Sequence, residues 1–263
     1  MFDQLTDVYD AMIDWPKRLA AEGPFYRDWF QQIGAKRVLD TACGTGRHAA
    51  MFHSWGLEVE GADLSPAMIQ RAQAAFGEPA GLRWTVRAYD QPVAELATWD
   101  AVICVGNSLA LAPNRETIRQ AIAQMIEALR PGGLLLVQVL NLWRLAEGPC
   151  LWQKCLRTQV RQAESLILKG VHRSGDRGFV ELVVADPRGG PLLAHESPVF
   201  FGLETAELVA AARQAGAADV QFFGGYAREP YTRESSIDLV MTAHRSLSIP
   251  IHPQSSSGPK AGA

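Results

Sequence analysis

The chain lacks several things. None of its apolar runs approaches the roughly 18 residues that a membrane-spanning helix requires, and its first residues, MFDQLTDVYD, do not show the basic and then apolar start of a secretion signal. Both absences point to a protein of the cytoplasm with no membrane partner. Positive charge is not in excess either. With 25 Lys and Arg against 28 Asp and Glu, the net charge is −3, so the chain as a whole has no attraction for nucleic-acid phosphates. The four cysteines, Cys43, Cys104, Cys150 and Cys155, have neither C-x-x-C spacing nor histidines at zinc-finger distance. They read as reduced thiols that pack as small hydrophobes, with no metal site. No internal repeat is visible.

Alternation is what the sequence does have. After an aromatic-rich start (residues 1–34), expected to form two helices broken near Gly23-Pro24, apolar runs at 37–40, 57–62, 82–86, 100–105 and 134–140 alternate with helical stretches at 46–54, 66–76 and 114–130. Near-continuous apolar strands between amphipathic helices imply a parallel sheet covered on both faces. The fold class is therefore α/β, doubly wound, with ligands expected at the carboxyl ends of the strands. RPGG at 130–133 reads as the turn from a helix into the next strand. Residues 157–171, 178–186 and 192–203 carry β-type patterning, which predicts an antiparallel insertion. A helix at 204–215, closed by Gly216, and two late strands at 218–223 and 237–243 complete the sheet. The expected organisation is a helical cap (1–34), an α/β domain (35–141 and 204–246), an inserted β-rich lid that serves as a substrate or dimer lobe (142–203), and a Pro/Ser/Gly-rich disordered tail (247–263).

The first strand runs into VLDTACGTGRHAA. Gly44, Gly46 and Ala49 satisfy G-x-G-x-x-A, and Asp63 ends the second strand 19 residues after Gly44, as a dinucleotide site requires. Three features tilt the balance away from a dinucleotide. Asp40 stands four residues before Gly44, where a carboxylate can fix the loop's amides or reach a cationic ligand. The fifth strand leads into the β insertion instead of a second parallel half. The fourth strand ends in VGNSLAL, a turn of small residues over the crevice.

Four stretches, VLDTACGTGRHA, VEGADLSPAMI, WDAVICVGNSLAL and LRPGGLLLVQVLN, make the chain resemble the class I S-adenosylmethionine-dependent methyltransferases. Among them it is most similar to the glycine and sarcosine N-methyltransferases and the amino-sugar N,N-dimethyltransferases, and the likeness implies a seven-stranded, mostly parallel sheet with a β lid. It implies S-adenosylmethionine as cofactor and a small molecule as methyl acceptor, most simply an amine. A hydroxyl acceptor, or a cofactor-binding protein without turnover, are the alternatives. Gly44, Thr45 and Gly46 would bring backbone close to the methionine portion and ribose, with the Ala42 carbonyl left for the amino group and Asp63 accepting from the ribose hydroxyls. Leu64 and Met68 would flank the adenine, and Val105 and Leu109 would wall the cleft. The adenine edge falls to Arg87 and Ala88; because Arg87 offers only donors, either the Ala88 amide or Asp90 reads it. Tyr9 and Arg18 match an element that closes over the cofactor, Arg18 being suited to the methionine carboxylate.

Asn107 is the substrate-side candidate, although an asparagine in GNS also suits holding the turn. Tyr226 and Tyr231, with Trp143, Trp152, Phe200 and Phe201, are candidates for lining the lid over the acceptor, with lid core or a subunit contact as the alternative. Leu140 stands where the glycine N-methyltransferases carry a carboxylate-clamping arginine, and Phe200 and Phe201 stand where they carry tyrosines. Both differences favour a less polar acceptor than glycine. No acid–base pair stands out, so no catalytic residue is assigned. Self-association through the inserted lobe is a further expectation.

Overall fold

The computed structural model describes residues 6–160, 163–190 and 192–247, without the side chains of Thr6, Asp7 and Tyr9. The tail expected beyond residue 247 lies outside the described residues, as does the Tyr9 side chain assigned to the cofactor. Two helices, α1 (Thr6–Met12) and α2 (Trp15–Gln32), precede β1 (Arg37–Asp40), α3 (Arg47–Ser54), β2 (Glu58–Asp63), α4 (Pro66–Phe76), β3 (Leu82–Val86), β4 (Trp99–Cys104), α5 (Arg115–Ala128) and β5 (Leu129–Leu140). Then come β6 (Leu151–Val160), β7 (Ala163–Ser174), β8 (Arg177–Ala185), β9 (Leu192–Glu196) and β10 (Val199–Phe201), followed by α6 (Thr205–Gln214), β11 (Ala217–Phe223) and β12 (Asp238–Arg245).

The main sheet has seven strands in the order β11-β12-β5-β4-β1-β2-β3. The β1–β5 pairings are parallel, and β12 runs antiparallel to both β5 and β11. The chain leaves β1 toward β3 and returns to β4 on the other side, so strand order reverses between β1 and β4. That reversal opens a crevice at the carboxyl ends of these strands. Alternation along each strand feeds two cores. Leu39, Val102, Cys104, Leu135 and Val137 pack with α5 and α6; Val38, Ala101, Ile103, Leu134 and Leu136 pack with Phe25, Tyr26, Phe30 and Phe52 on the opposite face. A second, antiparallel sheet holds β6 to β10.

Three expectations about local structure were wrong. The helix break near the N-terminus lies at Ile13–Asp14, where the Asp14 side chain caps α2 by accepting from the Lys17 N–H at 3.1 Å and Pro16 occupies the first turn. Pro24 sits inside α2. The loss of its N–H is outweighed by the burial of Phe25, Tyr26, Trp29 and Phe30 on the same helix. RPGG is not a simple turn but a bulge within β5, whose pairing with β4 steps from Trp99↔Leu129 to Ala101↔Leu134. Residues 157–171 are not one strand. They span the end of β6 and most of β7, which pair with each other from Val160↔Ala163 outward, and no Gly, Pro, Asn or Asp stands between those two residues to mark the change.

Gly46 opens α3 in the left-handed region (φ 80°). A β-carbon there would lie 2.5 Å from the Trp84 ring and 2.9 Å from the Ala72 side chain. The indole cannot easily yield, because its N–H donates to the Gly77 carbonyl at 2.8 Å. Gly46→Ala is therefore expected to destabilise the fold by about 1–3 kcal/mol, visible as a lowered thermal midpoint.

Candidate active site

The glycine turn is tied down strand by strand. The Thr41 hydroxyl donates to the Ile103 carbonyl at 2.9 Å, and the Cys43 N–H donates to the Ala62 carbonyl at 2.9 Å, which fixes the turn over β4 and β2. Asp63 then closes it. One carboxylate oxygen accepts from the Gly44 N–H at 2.9 Å and the other from the Ser65 N–H at 2.9 Å. Ser65 caps α4 by accepting from the Met68 N–H at 3.2 Å. Gly44 itself is left-handed (φ 54°), with open space where a β-carbon would stand. The turn is also gripped from α1, since Asp10 accepts from the buried Thr45 hydroxyl at 2.8 Å and from the Trp15 indole at 3.1 Å.

Asp40, at the end of β1, is 1% exposed, and neither carboxylate oxygen has a hydrogen-bond partner. Burial pushes its pKa up to about 8, and the Asp63 charge adds to the rise; the Ala42 N–H opposes it by its field without meeting hydrogen-bond geometry. Near neutral pH this carboxyl holds its proton.

Beyond Asp63 the crevice has apolar walls open to solvent. Leu64 is 71% and Val86 53% exposed, and Val86 pairs with Asp63 across β2 and β3. The other expected walls are more deeply placed: Met68 and Val105 are buried, and Leu109 is fully enclosed in the core, with no surface for a ligand. Arg87 does not turn toward this slot. Its guanidinium lies 2.6 Å from Glu60, and the Ala88 N–H donates to the Gln91 side chain at 3.1 Å.

On the other side of the strand-order reversal, β4, β5 and β12 meet. Asn107 has a left-handed backbone (φ 71°). Its side-chain oxygen accepts from the Leu140 N–H at 2.9 Å, so it does hold the turn. Gln138, which sequence reasoning missed, accepts from the Gly106 N–H at 2.8 Å and donates to Asp238 at 2.8 Å. Asn141 is equally central. Its amide donates to the Arg233 and Ser236 carbonyls at 2.9 and 2.8 Å, and its oxygen accepts from the Tyr231 hydroxyl at 3.1 Å. Tyr231 thus anchors the connection between β11 and β12. The only sequence signal for these polar residues was their position, at the ends of otherwise apolar strands.

Tyr226 joins a buried network below the α2 helix. The Tyr26 hydroxyl donates to that of Tyr226 at 3.1 Å and lies 3.4 Å from Glu22. Glu22 pairs with Arg18 at 2.7 Å and with His48 at 2.7 Å. Burial raises the Glu22 pKa, but the His48 hydrogen bond and the Arg18 charge prevail and leave it lowered. Burial lowers the His48 pKa. Phe200 and Phe201, read as lid lining or as core, are buried in the α5–α6 core, and Trp152 is largely exposed. Two open hollows of about 600 and 510 Å³ lie at the amino ends of β1 to β4, away from the crevice. The described residues contain no cluster of side chains fit to hold a metal ion.

Residues 38–133 match the family described as "Methyltransferase domain". The chain is 35% identical over 148 residues to a glycine/sarcosine N-methyltransferase of Parasynechococcus marenigrum, covering 56% of this chain and 52% of that one. It is 32% identical over 151 residues to the glycine N-methyltransferase of Oryctolagus cuniculus, covering 48% and 49%. The chain thus spans about half the length of the curated relatives it matches. In fold it is similar over nearly its whole length to an amino pentose methyltransferase from Micromonospora echinaspora, solved with S-adenosylmethionine bound (TM-score 0.70, 22% identity, 91% of this chain and 97% of that one). A sugar N-methyltransferase from Streptoalloteichus is similar to the same degree (TM-score 0.69, 22% identity, 87% and 88%). The fold is the one these solved methyltransferases share, and residues 38–133 resemble the methyltransferase-domain family.

Asp40 contributes a pH dependence to the stability of the fold. Its folded pKa lies above that of an unfolded aspartate, so the unfolded chain releases the proton first and stability falls as pH rises from about 4 to about 8. Asp40→Asn removes that slope. Thermal melts are expected to show the variant more stable than the native protein at pH 8, with the gap closing toward pH 4.

Proposed function

We propose that this protein is an S-adenosylmethionine-dependent methyltransferase of small molecules, with an amine nitrogen as the acceptor. The observation that carries the reading is the pairing, at one crevice, of the glycine turn closed by Asp63 with the unpartnered Asp40 carboxyl. The chemistry of these residues fits the cofactor. Asp40 and the Ala42 carbonyl suit the ammonium of its methionine arm, the amides around Gly44 and the partly exposed Arg18 suit its carboxylate, and Asp63 suits its ribose hydroxyls. Leu64 and Val86 offer apolar surface for the adenine. Bound there, the cofactor supplies a methyl group on a positively charged sulfur.

The protein's task is then positional. An amine that arrives unprotonated needs no general base, and holding it in line with the methyl group at about 3 Å can supply several kcal/mol of the barrier. A hydroxyl acceptor would need a base, and His48, the histidine beside the glycine turn, is committed to Glu22. The rim that would seat the acceptor is built from Asn107, Gln138, Asp238 and Tyr226. Leu140, an uncharged residue, ends β5 beside this rim, which supports an acceptor less polar than glycine.

Residues 142–203 read as the lid over this rim. The exposed Leu151, Trp152, Leu192 and Leu193 on the second sheet support self-association through it. No helix among the described residues is long and apolar enough to cross a membrane.

Calorimetric titration tests the cofactor. S-adenosylmethionine is expected to bind the native protein with micromolar affinity, and Asp63→Ala is expected to weaken it at least tenfold, with NADH failing to bind either protein. Tight binding of NADH, or native affinity in the variant, would overturn the assignment.

A further inference from the structure

β12 is antiparallel to β5, so its first residue, not its last, arrives at the carboxyl rim where β4 and β5 end. That residue is Asp238, paired with Leu140. Two residues on, Val240 packs into the core facing α2 and α3, as does Leu136, two residues before Gln138. Asp238 and Gln138 therefore rise from the same face of the sheet, just past the edge of its apolar core. Asp40 follows Val38 on that face. Between β1 and β12 stand only β4 and β5, so three strand spacings, about 14 Å, separate the two carboxylates' backbones along one rim.

The Asp238 side chain is held and yet open. One oxygen accepts from the Gln138 amide at 2.8 Å, while Gln138 is itself fixed by the Gly106 N–H. The other oxygen has no partner among the described residues. Its electrostatic neighbours come from every side of the crevice: Glu22 and Arg18 of α2, Arg144 beyond β5, and Tyr226 of the β11–β12 connection. Burial raises the Asp238 pKa to about 6, with Gln138 opposing the rise, so above that pH the open oxygen belongs to a carboxylate.

We propose that Asp238 is the group that receives the acceptor amine, its open oxygen taking a hydrogen bond from the nitrogen. Resting on the methyl-transfer reading above, this deepens it by naming the residue that faces the nitrogen. The hydrogen bond turns the nitrogen lone pair toward the methyl group. As the N–C bond forms, the S–C bond breaks with its electron pair going to sulfur, and the positive charge passes from sulfur to nitrogen. A carboxylate beside that nitrogen stabilises the arriving charge, and the extra proton of the product ammonium is released afterwards to solvent.

The test needs no knowledge of the acceptor. Sinefungin carries an amine-bearing carbon where S-adenosylmethionine carries its methyl-bearing sulfur, so its ammonium would project toward Asp238, whereas S-adenosylhomocysteine has no group there. Affinities of both compounds are measured by calorimetry at pH 8 for the native protein, Asp238→Asn and Asp238→Glu. The native protein is expected to prefer sinefungin, and Asp238→Asn to lose about 10- to 100-fold of that preference. Asp238→Glu should keep a part of it, and S-adenosylhomocysteine should bind all three alike, showing that the variants are folded. An unchanged preference in Asp238→Asn, with both compounds still bound, would sink the role of Asp238 and leave the cofactor assignment standing. Failure of the native protein to bind either compound would instead remove the cofactor assignment, and this proposal with it.

Discussion

The bidentate grip of Asp63 on two backbone amides is the constraint around which the crevice is organised. By holding Gly44 on one oxygen and Ser65 on the other, it joins the turn after β1 to the start of α4 and sets β2 between them. The surrounding packing allows little alternative. Gly46 and Gly61 both lie against the Trp84 ring so closely that a β-carbon on either would overlap it. The turn is thus defined from below by an indole and from the side by a carboxylate. The open space at Gly44 is what remains.

The opposite rim uses a different device. Asn107, Gln138 and Asn141 each spend side-chain amides on neighbouring backbone, so the ends of β4 and β5 and the connection into β12 form one hydrogen-bonded frame. Neutral amides do this without adding net charge to the crevice. The charged groups that remain around the frame are Asp238 on the sheet, Arg18 and Glu22 on α2 and Arg144 beyond β5, and they shape its field.

The alternation of buried strands and amphipathic helices was legible because parallel strands covered on both faces need continuous apolar runs, and β1 and β3 have the limits read from sequence. The glycine turn was legible because left-handed backbone leaves a residue-type signature at Gly44 and Gly46. What escaped notice depends on distant partners. Pro24 looked like a helix break because local propensity cannot register the aromatic core that keeps α2 continuous. Leu109 looked like a cleft wall, and Phe200 and Phe201 could be read as lid lining or as core, because an apolar side chain carries no mark of which surface it meets. Gln138 and Asp238 were missed since each is an ordinary polar residue until the antiparallel return of β12 brings it to the rim. Arg87 drew attention as an oddity in an adenine site, and its contact with Glu60 shows a cross-strand ion pair.

The order of these parts along the chain separates two tasks. Asp40, Gly44, Asp63 and Val86 all precede residue 90, while Asn107, Gln138, Asn141, Tyr226 and Asp238 all follow residue 105. The two groups face each other only because the chain doubles back between β3 and β4. Insertions or exchanges in the later half, including the whole second sheet, can therefore remodel one rim of the crevice while leaving the glycine turn untouched. A protein built this way is modular in evolution without being divided into modules in space.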